Sequence, residues 1–368
     1  MNPKQVITTN QLYIIFYISI VTTGILSLPY PMYLIAQQNM WIALLFSSVM
    51  GFLIISICSY FQKHFSGKNI IQIIDNILGK KMGYLVIVIL FVTYSFQFIY
   101  ILKEYELYLT DLFYQFMSPS LIIGLMLLVS IYSTSAGVEV IARCAQIILP
   151  STVILSIGIF LLLLPDIQFH NILPIFEKGL VPPIKGSFVA MAWLSELNWT
   201  TFYFHTVTES AKRVRRLGYL YVAAIISSLL LFFILILGVL GPYTAHSLYP
   251  ASLAERYIRI GSFIERTSAF FMSIWILGIF IKVTSLLFIL TQCAQALTHI
   301  ASTSLITSSI AVIYFFLSLF LFTSTSSLFQ TAYPLFLKTA FSTNFGLLTL
   351  IFFIGFLKKK IKPFNKSN

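Results

Sequence analysis

The sequence predicts an all-α polytopic membrane protein with about ten transmembrane helices. Of its 368 residues, 58% are hydrophobic and only 9% are charged, a composition that excludes a soluble domain of this size. Apolar segments of about 20 residues, the length that crosses a bilayer as a helix, recur along the whole chain. Two of these segments, the first and the sixth, are interrupted. Interruptions at matching positions of two halves are typical of transporters built from inverted five-helix repeats.

The predicted spans are separated by loops too short to fold as a second domain. They are about 10–36, 40–61, 83–110, 118–134, 136–164, 187–207, 217–242, 267–297, 303–323 and 331–357. We therefore expect residues 1–368 to form a single integral membrane domain. Its parts are a first repeat at about 10–164, a second repeat at about 187–323, an additional segment to 357 and a basic tail at 358–368.

The distribution of Lys and Arg predicts the orientation. With the N-terminus in the cytoplasm, fourteen of these residues fall in cytoplasmic segments and five in the opposite loops. This bias predicts that both termini are cytoplasmic. It also accounts for the net charge of +12 without nucleic acid. The lysine-rich tail is expected to contact anionic membrane lipid.

The loop at 63–81 has the apolar spacing of a short amphipathic helix. Its apolar residues can share one face, so we expect a helix lying on the membrane surface. They are Ile70, Ile71, Ile73, Ile74 and Leu78. The loop at 244–266 also has helical spacing in its middle and could cap a vestibule on the outer side.

The first interruption lies at residues 21–31, inside an apolar run. Gly24 is a weak helix former, Thr22 and Thr23 are polar, and Pro29 and Pro31 cannot donate to a helical ladder. Backbone groups freed within lipid are tolerated only where they line a protein cavity. We therefore expect a helix break around Gly24 and a small-molecule site near the bilayer midplane.

The second interruption lies at residues 190–201, with Glu196 in its middle. Intramembrane ionisable groups are costly and often functional. Glu196 either shapes the site or is a buried carboxyl that holds helices together.

Lys282, near the middle of the eighth span, needs an acceptor, which Glu196 or opened carbonyls around Gly24 could supply. Our hypothesis is that Lys282 fills the place of a coupling cation. The alternative is a lysine that snorkels along its stem.

Other charged residues are expected to be structural. Glu139 and Arg143 are spaced i,i+4 at the start of the fifth span and can pair on one helix face. A charged cluster at the outer end of the third span is interpreted as a solvated interface. Its members are Lys103, Glu104, Glu106 and Asp111.

Uncharged polar residues near the interruptions could line a pocket for a small molecule. A half-helix N-terminus after Gly24 would favour a carboxylate, so an amino acid is a plausible ligand. The polar residues are Thr22, Thr23, Tyr94, Gln97, Ser195, Asn198, Thr284 and Ser285. The sequence contains no nucleophile–base pair, metal-ligand cluster or phosphate loop, so we predict no enzyme activity, cofactor or metal.

Four stretches carry a family resemblance through their order along the chain. They are TGILSLP at 23–29, GVEVIARCAQIILP at 137–150, YPASLAERYIRIGSFIERTSAFF at 249–271 and WILGIFIKVTS at 275–285. In this order the chain resembles the B subunits of bacterial spore germinant receptors, which belong to the amino acid–polyamine–organocation superfamily. The resemblance covers essentially the whole chain.

The resemblance implies a LeuT-like fold of five plus five inverted helices in the spore inner membrane. It also implies a complex with an A subunit and a lipoprotein C subunit, and a role in sensing a small nutrient, often an amino acid. Where the motifs of the family match this sequence, the resemblance implies ligand contacts. The positions are Thr23, Gly24, Ile25, Ser195, Glu196, Leu197 and Thr284. Family members often have glycine where Ser195 stands, which makes the second break less certain here.

Three functions fit these features. The leading interpretation is a nutrient-sensing receptor subunit that keeps a transporter's fold and binding site. The alternatives are an active amino acid permease and a ligand-free subunit of an ion-conducting complex. Fold alone does not separate them.

Overall fold

The computed structural model describes residues 5–258 and 268–358, and within these ranges it is almost entirely helical. The first half contains α1 Thr9–Ser27, α2 Pro29–Ala36, α3 Met40–His64, α4 Ile70–Leu78, α5 Lys80–Leu112, α6 Pro119–Ala136 and α7 Val138–Leu163. The second half contains α8 Val181–Ser195, a 3-10 segment Glu196–Thr206, α9 Ala211–Leu240, α10 Pro250–Ala254, α11 Ser268–Thr298, α12 Thr303–Phe320, α13 Thr325–Ser327, α14 Tyr333–Ala340 and α15 Leu348–Leu357. The predicted all-α fold class is confirmed.

Nine helical segments of the described ranges are long and apolar enough to cross a membrane. They correspond to nine of the ten predicted spans. The sixth predicted span is the exception, because α8 has only 15 residues before it changes to the 3-10 segment. The protein is therefore a multi-pass membrane protein.

Helices α1 and α11 form the centre of the bundle. In each of them 83% of the most apolar window is buried within the protein, against 22% for the window in α7. Helix α1 packs against α7, α9 and α11, and α11 packs in addition against α5, α6 and α12. Polar groups on α1 and α11 are therefore shielded from lipid and can meet each other.

The first span is less broken than predicted. Helix α1 continues through Gly24 to Ser27, and the Leu28 amide still donates to the Gly24 carbonyl at 3.2 Å. The threonines do not interrupt it, because Thr22 and Thr23 donate their hydroxyls to carbonyls one turn earlier, at 2.6 and 2.8 Å. The junction lies instead at Leu28, where Pro29 begins α2. The predicted opened carbonyls and half-helix N-terminus at Gly24 are therefore wrong.

The sixth span breaks where predicted, at Glu196. There the α-helix changes to a 3-10 segment of 11 residues, although such segments rarely exceed three or four. Hydroxyl side chains stabilise the tighter turn by donating to the carbonyl three residues earlier. The donor–acceptor pairs are Ser195–Ala192, Thr200–Leu197, Thr201–Asn198 and Thr206–Tyr203. Serine at position 195 therefore does not remove the break.

Helix α4 confirms the amphipathic helix predicted in the loop at 63–81. A capping box between Asn69 and Gln72 starts it, and Ile70, Ile73 and Ile74 are buried. The buried face packs against α5, α15 and the 3-10 segment, so it is covered by protein rather than by the membrane surface. In the predicted outer cap at 244–266, α10 and a 3-10 turn Glu255–Tyr257 confirm the helical spacing. Residues 259–266 of this cap and residues 359–368 of the basic tail lie outside the described residues.

Candidate functional site

A buried ion pair between Lys282 and Glu196 joins α11 to the break in the sixth span. The Lys282 Nζ atom donates to Glu196 Oε1 at 2.8 Å and to Oε2 at 2.9 Å. The side chains are 1% and 0% exposed, so neither group reaches solvent. Of the two acceptors proposed for Lys282 from the sequence, the structure selects Glu196.

Helix α1 contributes a third member of this centre. Thr23 Oγ1 accepts hydrogen bonds from Lys282 Nζ at 3.0 Å and from Trp193 Nε1 at 3.2 Å. Lys282 Nζ also lies 5.7 Å from the ring centroid of Trp193, within cation–π range. We call Thr23, Trp193, Glu196 and Lys282 the Lys282 centre.

The Lys282 centre ties together three parts of the chain: the first span, the sixth span and α11. Thr23 belongs to α1, Trp193 to α8, Glu196 to the start of the 3-10 segment, and Lys282 to α11. Removing one partner of a buried ion pair leaves an uncompensated charge and costs about 3–5 kcal/mol. Any ligand that competes for Lys282 or Glu196 therefore acts on the packing of α1 and α11 around the break.

The other residues expected near the second break face away from Lys282. Ser195 accepts a hydrogen bond from Asn344 Nδ2 at 3.3 Å, on the tenth span. Asn344 lies in a π-helical segment, Phe341–Leu347, a distortion often found at functional sites. Leu197 is fully buried and approaches Gly51 of α3.

The residues that follow Thr23 in α1 face other helices. A Cβ atom added to Gly24 would lie 2.9 Å from Leu229 Cδ2, so Gly24 is a contact with α9. Ile25 lines a cavity of about 140 Å³ between α1, α7, α9 and α11. This cavity is mainly apolar, with Thr22 and Ser156 among its few polar lining residues.

The remaining two ligand-contact residues lie on either side of the Lys282 centre. The Tyr94 ring contacts Trp199 at 6.1 Å and Phe202 at 5.8 Å between centroids. Trp199 in turn lies 6.0 Å from Lys282 Nζ, so Tyr94 is one side chain away from the centre. Thr284 donates to Ser130 Oγ at 3.2 Å and thereby connects α11 to α6.

Glu139 and Arg143 form the predicted i,i+4 pair, at 3.0 Å, on the protein surface. Glu139 also accepts a hydrogen bond from the Val6 amide at 3.0 Å and so holds the N-terminal segment. A second carboxylate, Glu209, accepts from the Thr9 amide at 2.9 Å. Burial raises the pKa of Glu209, but the hydrogen bonds from Thr9 and the charge of Arg213 outweigh it, and the net pKa is lowered.

A polar cavity of about 600 Å³ opens at the end of the bundle that holds this N-terminal segment. Its lining includes Gln5, Thr134, His205, Thr291, Gln292 and Ser302. Gly137, which separates α6 from α7, also borders it. This glycine has a positive φ of +102°, and a Cβ atom there would lie 2.0 Å from Gln5 Nε2. The cavity does not include a residue of the Lys282 centre.

Of the four charged residues interpreted as a solvated interface on the third span, Asp111 is exposed as predicted, but the other three are buried, so the prediction is wrong for them. Lys103, Glu104 and Glu106 are only 1–3% exposed. Lys103 pairs with Glu106 at 2.5 Å, while Glu104 accepts a hydrogen bond from Ser27 Oγ at 2.6 Å. The predicted span 83–110 already contained these residues, and that placement was the signal that they lie within the membrane.

A family model described as "Spore germination protein" matches residues 6–327, most of the chain. The chain belongs to this family. Among curated spore germination proteins, protein KB of Bacillus subtilis (strain 168) is 24% identical over 294 residues, which cover 77% of each chain. Protein YndE of the same organism is 26% identical over 297 residues, which cover 76% of this chain and 77% of the relative. The resemblance found from the four motifs is confirmed.

Solved structures with a similar fold are membrane transporters. Mhp1, a nucleobase-cation-symport-1 family transporter in a closed conformation with bromovinylhydantoin bound, matches 98% of this chain and 82% of its own. The TM-score is 0.71 at 12% identity. MhsT in complex with L-phenylalanine matches 97% of this spore germination protein and 99% of its own chain, with a TM-score of 0.63 at 13% identity. These likenesses show that the family member has the LeuT-like fold.

Proposed function

We propose that this spore germination protein is the nutrient-sensing subunit of a germinant receptor. It binds a small ligand of the amino acid class between the first and sixth spans, and the ligand shifts the conformation that partner subunits detect. The observation that carries this proposal is the Lys282 centre, a buried ion pair placed at the break of the sixth span.

The centre suits a ligand that carries charge. Lys282 and Glu196 present an ammonium and a carboxylate side by side, and Thr23 adds a hydroxyl. A zwitterionic ligand could replace their mutual contacts with contacts of its own. Because the pair fixes α1, the break and α11 together, such replacement would favour one arrangement of these elements over another. A ligand shifts an equilibrium only by its differential affinity for two states, and this pair can supply that difference.

We propose further that the protein acts in the spore inner membrane with an A subunit and a lipoprotein C subunit. Support comes from its family membership and from curated relatives that are spore germination proteins. Ligand contacts at Thr23, Ile25, Tyr94, Ser195, Glu196, Leu197 and Thr284 are part of this proposal, and the predicted contact at Gly24 is replaced by a packing role. The geometry supports Thr23 and Glu196 most directly, while Gly24 acts through its packing against α9.

An active amino acid permease is the second candidate function. The observation in its favour is the fold, which is shared with transporters whose structures contain bound ligand, including L-phenylalanine in MhsT. A permease must open the site alternately to both sides, whereas a receptor needs access from one side only. The long 3-10 segment after Glu196 offers a hinge to either mechanism.

The Glu196→Gln variant tests the proposed role. We expect the germination response to an amino acid mixture to need at least about tenfold more nutrient, since a charge-assisted contact is lost. The measurement is a dose–response curve on spores, with the amount of protein in the membrane checked in parallel. Glu177→Gln, a change at an exposed loop carboxylate, is the matched control. A normal dose–response of Glu196→Gln at normal membrane level would remove Glu196 from the site.

A further inference from the structure

We infer that Glu104 of α5 is the cation-binding element of the ligand site and selects ligands that carry an ammonium group. This inference deepens the proposed function and rests on it. Glu104 is 1% exposed and accepts hydrogen bonds from Ser27 Oγ at 2.6 Å and from Tyr100 OH at 3.4 Å. Ser27 lies one helical turn beyond Thr23, so Glu104 stands one turn along α1 from the Lys282 centre.

The charges around the centre do not balance. Lys282 and Glu196 neutralise each other, and Lys103 pairs with Glu106. Within residues 5–258 and 268–358, no Lys, Arg or His nitrogen lies within 4 Å of the Glu104 carboxylate. An uncompensated buried carboxylate is strongly unfavourable, so Glu104 must hold a proton or be paired with a cation that the protein does not supply. A ligand ammonium can be that cation.

A chain of aromatic contacts links Glu104 with the Lys282 centre. The Tyr100 ring stacks on Phe336 at 4.5 Å and lies 6.4 Å from Tyr333. The Trp193 ring, part of the Lys282 centre, lies 5.1 Å from Phe336 and 5.9 Å from Tyr333. Ring faces attract cations, most strongly where water is excluded. These rings therefore connect Glu104 with the Lys282 centre through a buried aromatic surface.

A second observation points to a missing polar partner at the same place. The Tyr333 hydroxyl is buried and has no hydrogen-bond partner among the described residues. Buried hydroxyls almost always have a partner, in protein or in bound molecules. A phenol oxygen can accept a hydrogen bond from an ammonium, which has three donors to place. Glu104 and the Tyr333 hydroxyl provide two of the acceptors it needs.

Glu104 offers a charged position for a ligand ammonium beside the Lys282 centre, through Ser27 on α1. The ammonium of a bound ligand would pair with Glu104, while Lys282 keeps its contacts with Glu196. Pro29 and Pro31 have no amide hydrogen, so the carbonyls of Ile25 and Ser27 lack the i+4 donor of a regular helix. A ligand without an amine, such as a sugar or a carboxylic acid, gains nothing from Glu104.

The test uses the full chain purified in lipid nanodiscs and two probes. Ethylammonium carries only the cation, and propionate carries only the carboxylate. Apparent affinity is measured as the shift of the thermal unfolding midpoint with probe concentration, in wild type, Glu104→Gln and the surface control Glu177→Gln. Glu104→Gln keeps the shape and the hydrogen bonds from Ser27 and Tyr100 while removing the charge. Glu104→Asp, which keeps the charge, is the second variant.

We expect ethylammonium to bind wild type and Glu177→Gln alike, and to bind Glu104→Gln about tenfold or more weakly, as for the loss of a charge-assisted contact. Glu104→Asp retains part of the affinity, and the response to propionate does not depend on position 104. If Glu104→Gln binds ethylammonium within about twofold of wild type, or if wild type does not bind it, Glu104 holds only a proton and the inference is wrong. Failure of the proposed function is separate, since it shows as an unchanged germination response of Glu196→Gln.

Discussion

The ammonium of Lys282 is the residue-scale feature on which the site depends. It has two carboxylate contacts and one hydroxyl contact, all at 3.0 Å or less, and a nearly complete exclusion from solvent. Removing an ammonium from water costs free energy, and these three contacts offset that cost. The hypothesis that Lys282 occupies the position of a coupling cation therefore remains a useful one to test.

The Lys282→Met variant tests that hypothesis. We expect it to lose about 3–5 kcal/mol of stability, because Glu196 is left buried and unpaired, and to regain part of this loss when Na⁺ takes the vacant position. The measurement is the thermal unfolding midpoint in NaCl against choline chloride. The double variant Lys282→Met, Glu196→Gln is the control, since without the carboxylate neither the loss nor the Na⁺ effect should persist. A Lys282→Met midpoint that does not respond to Na⁺ refutes the cation hypothesis.

Residue-level prediction from sequence succeeded where charge alone decides the outcome. Lys282 and Glu196 are charged residues near the middle of apolar spans, so their pairing follows from the cost of burying either alone. Glu104 was misjudged because proximity to a span end was taken as solvent exposure. Its carboxylate meets Ser27 of α1, a contact between helices far apart in sequence that no local pattern predicts.

At the scale of single elements, the two interrupted spans differ for a physical reason. In lipid every backbone group needs a partner, so α1 stays helical wherever side chains permit it. The hydroxyls of Thr22 and Thr23 donate to carbonyls of the same helix, and only Pro29 forces a junction. In the sixth span the hydroxyls of Thr200 and Thr201 bind carbonyls three residues earlier and stabilise a tighter helix. Residue type alone did not separate these outcomes, because threonine is present in both.

Gly24 illustrates this correction at the element scale. The sequence interpretation made it a ligand contact, whereas the structure places Leu229 of α9 against it. Gly24→Val should therefore destabilise the packing of α1 on α9 by about 1–3 kcal/mol through overpacking. The measurement is the unfolding midpoint without ligand. Adding Leu229→Ala makes room for valine and should recover part of the loss. No recovery in the double variant would mean that the contact with Leu229 is not what limits the side chain at position 24.

At the scale of the whole molecule, composition and the spacing of apolar runs were sufficient for the fold class and for nearly all span boundaries. Bilayer thickness imposes the length of each span, so the length of an apolar run in the sequence predicts a span reliably. Orientation follows from Lys and Arg placement, but it stays a prediction, and so does the division into two repeats. Burial of α4 was not predictable, because its apolar face suits a membrane surface and the faces of α5 and α15 equally well.

The central claim is that the protein binds a nutrient and reports it without carrying it across the membrane. The Lys282 centre bears on this claim, because it joins three elements that a transporter must separate in every cycle. A receptor needs only to shift their arrangement once. Both functions use the same fold, so the distinction must come from a count of ligand molecules rather than from the architecture.

The most direct measurement uses the purified protein in liposomes with radiolabelled amino acids. Label retained per protein molecule is followed over time, and Glu196→Gln provides the background. The account predicts retention that saturates near about one label per protein, the stoichiometry of a single site without translocation. Accumulation far beyond one label per protein, released when detergent opens the liposomes, would contradict it and identify the protein as a permease.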